Sequence, residues 1–220
     1  MVSGTLTDSR DGQTYMTVSI GSQTRTAESL NYAYTGVLSS TSWCYGGDPA
    51  NCAKYGRLYT WAAAMDSVGT WSTSGKGCGY GKTCSVASAG SATLVRGICP
   101  KGWHLPSNDE WRALIVAVDG SITEYTYSSN TAGTKLKSQT GWKTYSGITN
   151  EDTFGFSALP AGGRDNFGNY RLEGTNAYFW KSTENNSLYA YYMVLYYGNR
   201  NASLDGSNKG LGFSVRCLKD

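Results

Sequence analysis

Six cysteines set the tightest constraint on what this chain can fold into. Cys44 and Cys52 bracket the interval YGGDPAN, and Cys78 and Cys84 bracket GYGKT. Both intervals are made of loop residues, Gly, Asp, Pro and Asn, rather than of helix or strand formers. Cys99 and Cys217 then remain. Six cysteines allow fifteen connectivities, so the pairing stays a choice. The preferred one joins Cys44 to Cys52, Cys78 to Cys84, and Cys99 to Cys217. In the chain-entropy picture the last and longest loop contributes most, about 4–5 kcal/mol. Such a set implies an oxidising compartment. Zinc is the weaker reading of these cysteines. His104 is the only histidine and no Cys-x-x-Cys occurs, whereas zinc wants four closely organised ligands.

The 220 residues suit one large domain or two small ones. No internal repeat or long linker divides them, so a single domain over 1–220 is expected, with a C-terminal display region at about 176–210. The formal charge is +3 and no Lys/Arg block stands out, which argues against a nucleic-acid partner. No apolar run reaches the length of a membrane span. Met1-Val2-Ser3-Gly4 is followed at once by polar residues, so neither a signal peptide nor an anchor is visible.

Thr14 to Ile20 alternates polar and large residues and predicts a strand, with Gly21-Ser22 turning into the next. Arg57 to Met65 predicts a short helical segment. Residues 66–92 predict an irregular excursion held by one small disulfide loop. Ser107 followed three residues later by Glu110 is a capping box, in which two orphan backbone donors are satisfied reciprocally. Trp111, Leu114, Ile115 and Val118 continue at helical spacing, and Asp119-Gly120 stops the helix. A further helical turn is expected around Thr134 to Lys137. Strands are expected at Phe154 to Pro160, Tyr189 to Tyr197 and Leu211 to Leu218. Few helices, short strands and long loops give an α+β fold.

The C-terminal tract is rich in Tyr, Asn and Ser. Tyr gives large contact area with little rotamer entropy to lose, and Asn and Ser give adaptable hydrogen bonds, a mixture that recognition surfaces favour. A period of two puts Tyr192, Val194 and Tyr196 on one face and Tyr191, Met193 and Leu195 on the other. Asn199, Asn201, Ser203 and Asp205 continue an alternation in which Ala202 and Leu204 point inward. The expected ligand-binding set is therefore Asn185, Asn186, Tyr189, Tyr192, Val194, Tyr196, Asn199, Asn201, Ser203 and Asp205. The competing reading is that these tyrosines only cover a small sheet, with their hydroxyls at the surface. Trp180 reads as core beneath that face.

The blocks DGQTYMTVSIGSQ, CAKYGRLYTWAAAM, CPKGWHLPSNDEW, GFSALPAGGRD, YFWKSTE and GFSVRC occur in this order. Together they resemble the Fibrobacter succinogenes major paralogous domain, a family of bacterial surface and secreted proteins. HLPSNDEW before a helix, and GFSVRC later, are also similar to the formylglycine-generating-enzyme type of C-type-lectin-like fold. The resemblance implies a C-type-lectin-like scaffold: a small twisted antiparallel sheet, one or two helices and long loops. It also implies an extracellular or cell-surface location. Several proteins on this scaffold are targets of diversity-generating retroelements, and the tract from Asn185 to Asn208 is similar to their rewritten segments. One departure is Arg25, which stands where the family usually has an aromatic; it leaves the packing of that strand open.

The candidates for chemistry are few. His104, between Trp103 and Leu105, reads as structural, because a general base needs an orienting partner and a substrate pocket. Formylglycine-generating enzymes use a reactive cysteine pair, which makes Cys217 a candidate for such a thiol. A structural disulfide is inert, and that reading is preferred. No cofactor is expected. Calcium is the one ion with a candidate site, Asp165, Asn166, Asn169 and Glu173 in the oxygen-rich run DNFGNYRLE; a solvated turn is preferred. The function expected is ligand binding without catalysis, with a protein ligand favoured and a glycan as the alternative. The rival expectations are a self-associating surface component and, behind it, a formylglycine-generating-type enzyme. The oligomeric state is not legible in the sequence.

Overall fold

A computed structural model describes residues 2–36, 41–122 and 128–220. In chain order the elements are β1 (Val2–Thr7), β2 (Thr14–Ile20), β3 (Gln23–Thr26), β4 (Ser42–Trp43), α1 (Pro49–Tyr55), β5 (Leu58–Tyr59), α2 (Trp61–Ala64), β6 (Trp103–His104), α3 (Asn108–Asp119), α4 (Ala132–Leu136), β7 (Gly163–Arg164), β8 (Tyr170–Arg171), β9 (Asn176–Glu184), β10 (Tyr189–Tyr196), β11 (Ala202–Asn208) and β12 (Leu218–Lys219). The fold is α+β, built on a five-stranded sheet ordered β1-β2-β3-β12-β6 and a three-stranded sheet ordered β11-β10-β9. Two further pairs, β4-β5 and β7-β8, are short ribbons. Four helices replace the one or two expected among the described residues; only α3 is longer than two turns.

Within the first sheet the β2-β3 hairpin forms as its sequence predicts, while β1 and β6 were not expected. Ile20 pairs with Gln23 across the two-residue turn Gly21-Ser22, and Gly21 takes the left-handed φ of 60° that such turns require. The last strand, β12, enters between β3 and β6, where Leu218 pairs with Arg25 and His104. The disulfide Cys99–Cys217 anchors the same segment, and the short loops close as Cys44–Cys52 and Cys78–Cys84.

Helix α3 carries both halves of its capping box: Glu110 N–H donates to Ser107 Oγ, and Ser107 N–H donates to the Glu110 carboxylate at 2.7 Å. Gly120 ends it in the left-handed conformation. Trp111, Leu114, Ile115 and Val118 are buried as one stripe. They meet Val18 and Ile20 of β2 and the inner face of the three-stranded sheet, including Phe179, Met193, Leu195 and Ala202. Arg25 solves its own placement here. Its guanidinium lies 4.7 Å over the Trp111 ring and donates to Gln23 Oε1 and the Glu110 carbonyl, each at 2.7 Å. A stacked cation thus fills the space of an aromatic. Burial lowers its pKa to about 9, partly offset by Glu110.

A second core gathers α2, the Cys99–Cys217 bridge, Trp180, Phe213 and Val215. The two sides interlock through indole hydrogen bonds: Trp180 Nε1 donates to the Tyr59 carbonyl at 2.7 Å, and Trp61 Nε1 to the Lys181 carbonyl at 2.8 Å. The three-stranded sheet therefore has core on both sides, but the second core covers only part of its outer face.

Two expected strands are absent. Residues 154–160 make only an isolated bridge, Lys137 with Ala158. The cause is Ser157, held at φ 51° by Asp152, whose carboxylate accepts from the Ser157 amide at 2.8 Å and hydroxyl at 2.6 Å. Between Leu211 and Leu218 only the last residue is in a strand. Phe213 and Ser214 bond instead to Tyr59 and Tyr178 as single bridging contacts, so that segment ties the β4-β5 ribbon to the three-stranded sheet. The 66–92 excursion is irregular as expected. It is organised by Asp66, whose carboxylate takes the Tyr34 hydroxyl and the amides of Thr70, Trp71 and Ser72.

Candidate functional site

The outer face of the three-stranded sheet is built by register. Tyr192 lies opposite Asp205 and Trp180, and Val194 opposite Ser203 and Tyr178. Cross-strand partners share a face, so Tyr192, Val194, Ser203 and Asp205 are brought together, with Tyr196 next along β10. Met193, Leu195, Ala202 and Leu204 point to the core, as the alternation predicts.

Tyr192 is not a free ring. It is half-buried, 5.2 Å from Phe213 and 5.7 Å from Tyr178, and its hydroxyl donates to Asp205 Oδ2 at 3.2 Å. Burial first, then the Asp205 charge, pushes its pKa well above the usual tyrosine value. With Arg164, Leu172, Leu211 and Phe213 it lines a groove of about 190 Å³ between the sheet and the β7–β8 hairpin. The tip of that hairpin presents Phe167, 90% exposed.

The far end of β10 carries a cluster of three aromatic rings. Tyr196 and Tyr197 meet edge to face at 4.8 Å, and Tyr145 meets Tyr197 in the same way at 5.5 Å. Tyr145 is 51% exposed and Tyr196 40%. Gly198 lets the rings close, since a Cβ there would stand 2.9 Å from Tyr196. The turn beneath is held twice. Asn199 Oδ1 accepts from the Asn201 amide at 3.1 Å, and the buried Lys137 ammonium donates to the Tyr196 and Asn199 carbonyls at 3.0 and 2.9 Å.

The expected set does not form one surface. Asn185, Asn186 and Tyr189 sit at the opposite end of β10 from Tyr196, roughly 23 Å away at 3.3 Å per residue. Asn186 spends its side-chain oxygen on the amides of Leu188 and Tyr189, closing the β9–β10 turn. Tyr189 is on the pleat face of Met193, opposite to Tyr192. Tyr197 was within reach of sequence reasoning, as the neighbour of Tyr196. Tyr145 was not, because its segment has no periodicity and meets β10 only in three dimensions.

The other candidates resolve into structure. His104 is clamped through both ring nitrogens, Nδ1 to Asp220 at 2.7 Å and Nε2 to Glu110 at 2.9 Å. Burial opposes its charge, but the two carboxylates outweigh this and raise its pKa. Neither nitrogen is left to take a proton from a substrate. Cys99 and Cys217 are fully buried in their disulfide. In the DNFGNYRLE loop, the Asp165 carboxylate accepts from Asn169, Arg171 and the Phe167 amide. Asn169 and Arg171 hold it far below the usual carboxylate range. Glu173 turns away to accept from the Tyr55 hydroxyl at 2.8 Å. Among the described residues no cluster of three or more His, Cys, Asp or Glu side chains is placed to hold a metal ion, and no helix is long and apolar enough to cross a membrane.

A family model described as the Fibrobacter succinogenes major domain matches residues 12–219. Neither the curated proteins nor the solved structures contain a match to the chain.

Proposed function

For this chain, which belongs to the Fibrobacter succinogenes major domain family, we propose a non-enzymatic binding role, with a protein ligand engaged by the outer face of the three-stranded sheet. The observation that carries this reading is the Tyr145, Tyr196 and Tyr197 platform on a turn immobilised from below by Lys137. Exposed aromatic rings that are already ordered lose little entropy on binding, and such residues dominate interface energetics. Val194 extends the surface towards the Tyr192 groove, with Ser203 and Asp205 as its polar rim. We read the scaffold as C-type-lectin-like and the protein as extracellular or cell-surface, in keeping with three disulfides.

The tract between Asn185 and Asn208 combines buried inward residues with outward Tyr, Ser and Asp. That division suits a segment rewritten by a retroelement, since the outward positions can change without emptying the core. A reverse transcriptase gene and a near-identical template repeat beside this gene would support it; their absence would count against it. The binding role itself is tested by capture of biotinylated cell-surface proteins on the immobilised domain. Retention that survives loss of the three tyrosines would contradict it.

A further inference from the structure

A cavity of about 710 Å³ is lined by none of the three rings of the tyrosine platform. One wall is β2 with Glu28 and Asn31, another is the end of α1 from Cys52 to Gly56, and the third is made by residues 138–140 and 152–159. Four of the six blocks that carry the family resemblance supply its lining, and none of the residues Asn185 to Asn208 does. Arg216 of GFSVRC forms part of the floor. Its buried guanidinium donates to the Thr26 and Phe156 carbonyls at 3.0 and 2.8 Å, with no carboxylate in contact among the described residues.

We propose that this cleft is a second binding site and that its ligand is a neutral polyhydroxylated molecule, a short oligosaccharide. Its size is that of a small-molecule site, enough for two or three sugar rings. Its charges balance: Glu28 and Asp152 oppose Lys54 and Arg216, so a net charge of either sign meets a like charge. Two acceptors in its lining call for donors. Asn31 Oδ1 is buried without a partner among the described residues. Glu28 gives Oε2 to the Met16 amide at 2.6 Å, which leaves lone pairs on its carboxylate for a ligand. A hydroxyl group donates to such acceptors and accepts from Lys54 in return. Met16, 48% exposed, and Leu159 offer apolar surface to the C–H face of a pyranose ring.

The test is a titration of the ¹⁵N-labelled protein with maltotriose, cellotriose, laminaritriose and triacetylchitotriose, followed by amide chemical shifts. At least one trisaccharide is expected to give saturable shifts at Met16, Ala53 and Ser157 while leaving Tyr196 unmoved. Ala53→Trp, at an exposed helix position on the wall, and Thr140→Trp, on the facing segment, are each expected to weaken that binding at least tenfold with the fold intact by circular dichroism. The proposal is overturned if no trisaccharide gives saturable shifts there, or if the shifts persist in both folded variants. Because the platform lies outside this cleft, neither result bears on the protein-binding face.

Discussion

Lys137 reaches under the β10–β11 turn and donates to the carbonyl oxygen of Asn199 at 2.9 Å. This one contact links the interior to the surface that carries the proposed function. The lysine is fully buried, and desolvation lowers its pKa to about 8. The turn gains a fixed geometry from a group that costs energy to bury. Lys137→Met keeps the side-chain length but removes the donor to the Asn199 carbonyl and leaves the Tyr196 carbonyl only the Asn199 amide at 3.4 Å. We expect a loss of about 2 kcal/mol by urea unfolding. Amide exchange should accelerate first at Gly198 to Asn201, before the rest of β10.

The His104 clamp makes a signed pH prediction. The Glu110 carboxyl is held at about 2 in the folded protein against an ordinary value of 4.5: burial alone would raise it, but His104 and Ser107 outweigh that. Its contribution is present above pH 4.5 and is lost as pH falls towards 2. The His104 pKa is raised above 6.5, so its contribution is complete below that pH and is lost as pH rises through the folded value. Wild-type stability should therefore be greatest between about pH 4.5 and 6.5 as far as this clamp decides it. His104→Ala should flatten both flanks and cost on the order of 2 kcal/mol at the maximum. Denaturant titrations at a series of pH values measure this directly.

The three disulfides should differ in worth. Cys99–Cys217 closes 118 residues of sequence separation, against 8 for Cys44–Cys52 and 6 for Cys78–Cys84. Replacing Cys99 and Cys217 together by Ala should cost about 4–5 kcal/mol, and either short pair about 2 kcal/mol. Thermal unfolding of the three double variants would rank them.

Lys209 and Glu184 form a buried ion pair at 2.6 Å, with Lys209 also 4.4 Å over the Trp61 ring and Glu184 accepting from the Cys84 amide. Lys209→Met strands a buried carboxylate, at an expected cost of about 3–5 kcal/mol. Lys209→Met combined with Glu184→Leu should recover part of that loss. A double-mutant cycle by urea unfolding checks the sign.

Local features were the legible ones. The Ser107–Glu110 box, the Gly21-Ser22 turn and the inward set Met193, Leu195, Ala202 and Leu204 each follow from residues a few positions apart. The disulfide pairing was legible because two of its loops are short and built of turn residues, although the Cys44–Cys52 interval is not all loop: α1 begins inside it, at Pro49, behind the Asp48 cap. What escaped was non-local. Arg25 finds Trp111 from a different part of the chain. Tyr145 joins Tyr197 across a distance in sequence that no period spans. Tyr192 was expected to face outward, and it does by register, yet Phe213 covers much of its ring. Asn186 and Asn199 looked like ligand groups because turn chemistry and recognition chemistry favour the same residue type.

The binding account rests most directly on one comparison: capture of biotinylated cell-surface proteins by the immobilised wild-type domain and by a variant with Tyr145, Tyr196 and Tyr197 all changed to Ser. These rings are largely at the surface, so melting should shift by no more than about 5 °C. The account predicts that a protein retained by the wild type is absent from the variant. Equal retention by both, or a variant that no longer folds because the rings are core, would contradict it.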